Sequence, residues 1–328
     1  MKKKLYIISP FRLIEYPWNW KVYYCVELFS TLFQQGYIIN WIQPGKNLIN
    51  FSLFPSLSHW KNFFVINIGN FLTYRWLMPF FLSRLKQVSK DIKPFMLIEI
   101  IDGSPFPLNI DESFVNIPII FSLKKQWIAS NNFPGPVIIP EKKMLEDLVL
   151  RGVPEKYLNY IPMGVCSHKN EIEHTEKQLQ KRILIFDKDP GRRLKPLAKQ
   201  IEKDKSDYEV VYFGNKDLNT IPADEFYVWL HEIIKDRKII VVLSRNMEHI
   251  GMEFISQGAI VFVPGSGFLV KEENKNLFFY NNPMDIQEQI YNLIETQSTL
   301  LSNNKISFPT WKELSIELSR LFAEWINE

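Results

Sequence analysis

The residues with the most chemistry to offer lie between Lys238 and Val263, in KIIVVLSRNMEHIGMEFISQGAIVFV. Glu253 is a carboxylate able to accept hydrogen bonds from the hydroxyls of a ribose. A helix starting near Gly251 would present unpaired backbone N–H groups at Ile250 and Gly251, with a partial positive charge that suits a diphosphate. His249, just ahead of them, offers an imidazole to a phosphate. Each favourable charge at such an end is worth only about 0.3–1 kcal/mol, so several amides and basic side chains would have to act together. A second reading of Glu253 fits equally well: an acid in a first helical turn favours the dipole with no ligand at all. Earlier in the chain Asp102 ends the apolar run Phe95 to Ile101 and stands beside Gly103-Ser104-Pro105. That is the position of a site residue at a strand's carboxyl end, and also the composition of an ordinary turn.

The elements that would hold these residues follow from periodicity. Ile239 to Leu243 and Ala259 to Val263 are β-branched runs without a polar residue, as in strands covered on both faces. With a polar loop from Ser244 to Ile250 and a short helix ended by Gly258 between them, they make a compact βαβ unit whose loop sits where open α/β sheets take ligands. The chain opens with a strand at Leu5 to Ile8, a loop through Tyr16-Pro17-Trp18-Asn19-Trp20, a helix from Val22 to Gln35 stopped by Gly36, and a strand from Tyr37 to Ile42. Strands at Phe63 to Ile68, Phe95 to Ile101, Ile117 to Phe121, Val137 to Ile139 and Tyr157 to Ile161 continue it, with helices around Thr73 to Ser89 and Glu141 to Arg151. After the polar stretch His168 to Arg182 a second βα series begins, and an amphipathic helix follows from Thr310 to Asn327. The expected fold class is therefore α/β: two Rossmann-like domains facing a cleft, with residues 1–165 first, 166–306 second, and 307–328 crossing back to the first.

Bulk properties bound the function. A length of 328 residues, 46% hydrophobic and 23% charged, allows two ordinary cores. A net charge of +3 gives no basic face for nucleic acid. Two cysteines, Cys25 and Cys166, make no disulfide framework and fit a reducing, cytoplasmic setting. The start MKKKLYIISP lacks the long apolar core of a signal peptide. Asn70 to Phe81 is interrupted by Arg75 and Pro79 and is too short to span a bilayer. Its aromatics, with Arg75 and Arg84, fit either peripheral association with the inner face of a membrane or a buried helix.

Three motifs in order carry a resemblance. VIIPEKKMLEDLVLRGVPEKYLNYIPMGV (Val137 to Val165) resembles the segment that closes the N-terminal domain of GT-B glycosyltransferases of the family 4 type. Gly152, Pro154, Lys156, Pro162, Gly164 and Val165 match it, with Met163 at the usual Asn. Glu253 to Val261 resembles that family's donor-site helix, and Phe308-Pro309-Thr310-Trp311 its terminal helix. The resemblance implies a nucleotide-sugar donor on the second domain and a glycan or lipid-linked acceptor on the first. It further implies retention of configuration, no metal and no resident cofactor. Glu253 falls on the second acid of the family's E-x7-E motif, the ribose contact, while Arg245 stands where the first acid would be. The turn Asp189 to Lys195 falls where the family places cations for the diphosphate, which makes Arg192, Arg193 and Lys195 donor-binding candidates; a solvated basic turn is the other reading. Pro10 to Trp20 replaces the family's glycine-rich loop and has no glycine, so Trp18, Asn19 and Trp20 become acceptor-binding candidates or plain core residues. Asp102, near the family's first-domain His, becomes a candidate catalytic residue.

Other motifs lead elsewhere. Asp187-Lys188-Asp189 is the metal motif of a different glycosyltransferase fold, but its place before a second βα series makes it a turn. Gly265-Ser266-Gly267 lacks the third glycine of a dinucleotide loop, no G-x-S-x-G is present, and the five histidines have no metal-ligand spacing. The competing class is a catalytically inactive GT-B-like partner or scaffold, which Arg245 and the glycine-free loop favour.

Overall fold

A computed structural model of the chain describes residues 3–45, 56–70, 73–88, 95–103, 105, 114–123, 135–166, 179–189, 191, 193–222, 225–234, 238–245, 247–265, 276–296 and 308–327. Two compact units result, one of Met1–Tyr16, Lys21–Gly164 and Pro309–Glu328, the other of Pro17–Trp20 and Val165–Phe308.

In the first unit the strands are β1 (Lys3–Ile8), β2 (Tyr37–Pro44), β3 (Ser56–Trp60), β4 (Phe63–Ile68), β5 (Phe95–Gly103), β6 (Phe114–Leu123), β7 (Val137–Ile139) and β8 (Leu158–Tyr160), with α1 (Trp20–Gln34), α2 (Tyr74–Val88) and α3 (Lys142–Leu150) between them. They form one sheet in the order β3-β4-β2-β1-β5-β6-β7-β8. Only β3 is antiparallel to its neighbour. Parallel strands need cover on both faces, and the sequence supplies it: Leu5, Ile7, Ile39, Trp41, Ile98 and Ile119 are all fully buried. α1 buries nine residues, from Val22 to Leu32, and Gly36, at φ +89°, turns the chain back into β2.

The second unit comprises β9 (Leu179–Asp187), α4 (Lys195–Asp204), β10 (Glu209–Gly214), α5 (Asn215–Leu218), α6 (Phe226–Ile234), β11 (Lys238–Leu243), α7 (Glu248–Ser256), β12 (Ile260–Pro264), β13 (Leu277–Tyr280) and α8 (Pro283–Thr296). Its sheet is wholly parallel, in the order β10-β9-β11-β12-β13. Ile183, Ile185, Ile240, Val242, Ile260 and Phe262 make one core with α4 and α8. The chain then returns to the first unit as α9 (Trp311–Asn327), where Gln35 Nε2 donates to Ser315 Oγ at 2.8 Å and Trp311 lies edge-on to Tyr24 at 5.7 Å.

Both units are Rossmann-like, and each sheet reverses its order once: between β1 and β5 in the first, between β9 and β11 in the second. Three local expectations need correction. α7 begins at Glu248, not near Gly251, because Glu248, His249 and Ile250, polar or not, are buried and helical. Trp20 opens α1 instead of ending a loop. β3 and β13, absent from the sequence reading, are short edge strands whose signals, SLSHW and LFFY, are too brief to separate from neighbouring turns. Among the described residues no helix is long and apolar enough to cross a membrane.

Candidate functional site

In the second unit the reversal point is stitched by its own polar atoms. Ser244, directly after β11, donates its N–H to the Phe186 carbonyl at 2.9 Å and accepts the Lys188 N–H on Oγ at 2.9 Å. Asp187, at the end of β9, is fully buried, and its carboxylate accepts from the Asp189 N–H (3.1 Å), the Leu194 N–H (3.0 Å) and the Tyr212 hydroxyl (3.1 Å). Those three bonds shape the turn into α4, so the first acid of the D-x-D works inside the loop. Arg193 lies on the surface, paired with Asp189 at 3.2 Å, and Lys195 opens α4 half-buried. Arg192 lies outside the described residues.

The amino end of α7 faces inward. His249 is fully buried, with Nε2 2.9 Å from the Pro17 carbonyl. Burial pushes its pKa down to about 3; the Pro17 carbonyl works against that and the charge of Lys188 with it. The ring is therefore neutral at ordinary pH. Since a carbonyl can only accept, Nε2 carries the proton. Trp18 is 7% exposed, sits edge-on to Phe226 at 5.5 Å, and has Lys188 Nζ 5.8 Å from its ring centre. The segment Pro17–Trp20, including the half-buried Asn19 and Trp20, thus belongs to the second unit, where the sequence had suggested the first domain's acceptor loop. The Ile250 N–H already donates to Met247 O at 3.0 Å. Gly251 faces the sheet: a Cβ there would come within 3.1 Å of Leu243 Cδ1, so its glycine serves close helix-on-sheet packing.

Glu253 is fully buried, and both its oxygens accept the Cys166 N–H, at 3.0 and 3.2 Å. Two residues earlier, Gly164 lies so near α9 that a Cβ would sit 2.9 Å from the Trp311 ring. Two of the motifs, P-M-G-V and the helix carrying Glu253, therefore do structural work at either side of the chain's passage into the second unit.

The first unit gathers a second cluster at its carboxyl edge. Asp102 sits at a register shift at the end of β5, with Lys21 Nζ 2.7 Å from Oδ2 and the Ser122 hydroxyl donating to Oδ1 at 2.6 Å. Asp102 and Lys21 are a quarter or less exposed. Glu141, after β7, has its pKa raised by burial against the opposing charges of Lys21 and Lys143. Lys21, Ser122 and Glu141 escaped the sequence reading because each comes from a different element: α1, β6 and the cap of α3. Among the described residues no group of three or more His, Cys, Asp or Glu side chains could hold a metal ion.

No protein-family model matches the chain, and no curated protein matches it. Solved structures do. A putative UDP-N-acetylglucosamine 2-epimerase from Listeria monocytogenes has a TM-score of 0.57 at 12% identity, covering 100% of this chain and 98% of that one. MnaA of S. aureus, solved with UDP, gives 0.56 at 16%, covering 100% and 97%. An α,α-trehalose-phosphate synthase (UDP-forming) from Burkholderia xenovorans, solved with glucose-6-phosphate, gives 0.55 at 8%, covering 98% and 99%. With two Rossmann-like units in one chain, the protein has a GT-B-like fold. The likeness at these identities is one of architecture.

Proposed function

We propose that the protein is a glycosyltransferase that moves a sugar from a nucleotide-sugar donor to a glycan or lipid-linked acceptor, without a metal and with retention. The observation that carries this is the reversal point of the second sheet, where Lys188 follows β9 directly, Arg245 comes two residues after the adjacent parallel strand β11, and α7 starts three residues beyond Arg245. Ligands of open α/β sheets are taken at such a point. A nucleoside diphosphate leaving group builds negative charge, and cations beside the strand ends offset it. Arg245, in the place of the usual acid, joins Lys188, Arg193 and Lys195 in that role. In this reading Glu253 serves the donor indirectly, as the brace that holds Cys166 against α7, and His249 fixes the segment Pro17–Trp20 beside the same strand ends. The first unit contributes Asp102, oriented by Lys21 and Ser122, to orient or deprotonate the acceptor hydroxyl.

The second reading, a catalytically inactive partner, is favoured by Arg245 and by the glycine-free segment 10–20. Calorimetry with a panel of nucleoside diphosphates and their sugars, followed by assays for donor hydrolysis and transfer, separates the two. Binding with turnover supports the transferase. Binding without turnover, or no binding to any donor, leaves the partner.

A further inference from the structure

Helix α2 has two apolar faces, and among the described residues only one of them packs into the fold. Tyr74, Met78 and Leu82, one turn apart in succession, are buried with Tyr6, Ile8, Ile42, Ile66, Ile68 and Leu97, and Leu77, Phe81 and Leu85 pack against that cluster. Those residues satisfy the sheet. On the other side Trp76 is 80% exposed and Phe80 72% exposed. At a spacing of four residues they lie one above the other on the same strip of helix surface. An aromatic pair left in water costs free energy, and a Trp indole is suited to the boundary between water and acyl chains.

The charge around this pair says what covers it. The helix reads YRWLMPFFLSRLKQV, with Arg75, Arg84 and Lys86 and no acid. The Arg75 guanidinium donates to the Pro105 carbonyl, and Arg84 is exposed one turn beyond Phe80. Four other exposed large apolar side chains lie on helices that carry acids: Leu150 with Glu146 and Asp147 beside Lys142 and Lys143, Val228 with Glu232, Met284 with Asp285 and Glu288, and Ile316 with Glu313 and Glu317 beside Lys312 and Arg320. Of these helices α2 alone carries cations without an acid, so it is the one an anionic surface favours.

We propose that this face of α2 is a docking surface for an anionic lipid membrane, with Trp76 and Phe80 entering the boundary between headgroups and acyl chains and Arg84 lying among the headgroups. The surface is read from the first unit alone and stands whether or not the chain transfers sugar. Lipid-vesicle sedimentation of the full chain tests it. Vesicles containing phosphatidylglycerol should bind the protein, high salt should weaken the binding, and vesicles of phosphatidylcholine alone should bind it far less. Trp76→Ser combined with Phe80→Ser should lower the partition coefficient by about tenfold or more, from the apolar area withdrawn from the membrane. Arg84→Glu should lower it through charge alone. Since all three side chains are exposed, each variant should keep the wild-type melting curve. The proposal is overturned if phosphatidylglycerol vesicles do not bind the protein, if they bind the aromatic double variant as well as the wild type, or if the two lipids bind equally. It is also overturned if the double variant instead dissolves a concentration-dependent dimer, which would make the face a contact between copies of this chain.

Discussion

Replacing Glu253 with Ala tests whether its carboxylate is a brace or a ligand contact. The side chain is fully buried and accepts the Cys166 N–H on both oxygens at 3.0 and 3.2 Å. Removing it deletes a charge-assisted hydrogen bond to a half-buried backbone amide, at a cost of about 1–3 kcal/mol. Glu253→Gln keeps a carbonyl oxygen as acceptor and loses only the charge, so about half of that loss is expected. In a unit of this size 1 kcal/mol moves Tm by about 2–4 °C. Scanning calorimetry on the whole chain should therefore show the transition of the second unit lowered by several degrees in Glu253→Ala and less in Glu253→Gln. UDP titration at a temperature where both variants are folded should give affinity within a few-fold of wild type. Unchanged melting together with abolished nucleotide binding would refute the brace and return the carboxylate to the ribose.

Three further outcomes are expected. His249 has a folded pKa of about 3 against an ordinary 6.5, so the unfolded chain takes up a proton near pH 6.5 that the folded chain refuses until about pH 3. Its contribution is complete above pH 6.5 and falls by up to about 1.4 kcal/mol per unit as pH drops through that window; urea titrations should show wild-type stability falling between pH 6.5 and 5, with a flatter profile for His249→Gln. Asp102→Asn and Lys21→Met should each lower transfer, by about 10²- to 10⁴-fold for the former if it acts as a general base, while UDP affinity stays at the wild-type value; undiminished kcat removes Asp102 from the chemistry. Gly164→Ala would set a Cβ 2.9 Å from the Trp311 ring, and the crowding should cost about 1–3 kcal/mol, read as a lowered melting transition of the first unit.

Much of the architecture was legible in the chain itself. Runs such as Ile239 to Leu243 and Ala259 to Val263 have the unbroken apolar character that only a sheet covered on both faces requires, and they became β11 and β12 side by side. The alternation of such runs with amphipathic stretches gave the Rossmann-like class and the second βα series. Edge strands β3 and β13 were lost because a short run on a sheet's rim carries little periodicity. The helix boundary at Glu248 was lost because polar letters suggest solvent, whereas Glu248 and His249 are buried.

The chemistry was far less legible, for a physical reason. A carboxylate's letter and spacing say what it can bond, and only the fold says what it meets. Glu253 meets the Cys166 amide, Asp187 meets two amides and a phenol, and His249 meets the Pro17 carbonyl 232 residues away. Lys21, Asp102, Ser122 and Glu141 come together because the start of α1, the ends of β5 and β6 and the turn after β7 lie at one edge of one sheet. On α2 the sequence set out aromatics and cations along a helix, but their division into a buried face and an open one depended on which side the sheet occupied. Local composition and periodicity thus determined the elements and their order; the burial and pairing of each polar group depend on long-range packing, and that only the tertiary structure decided.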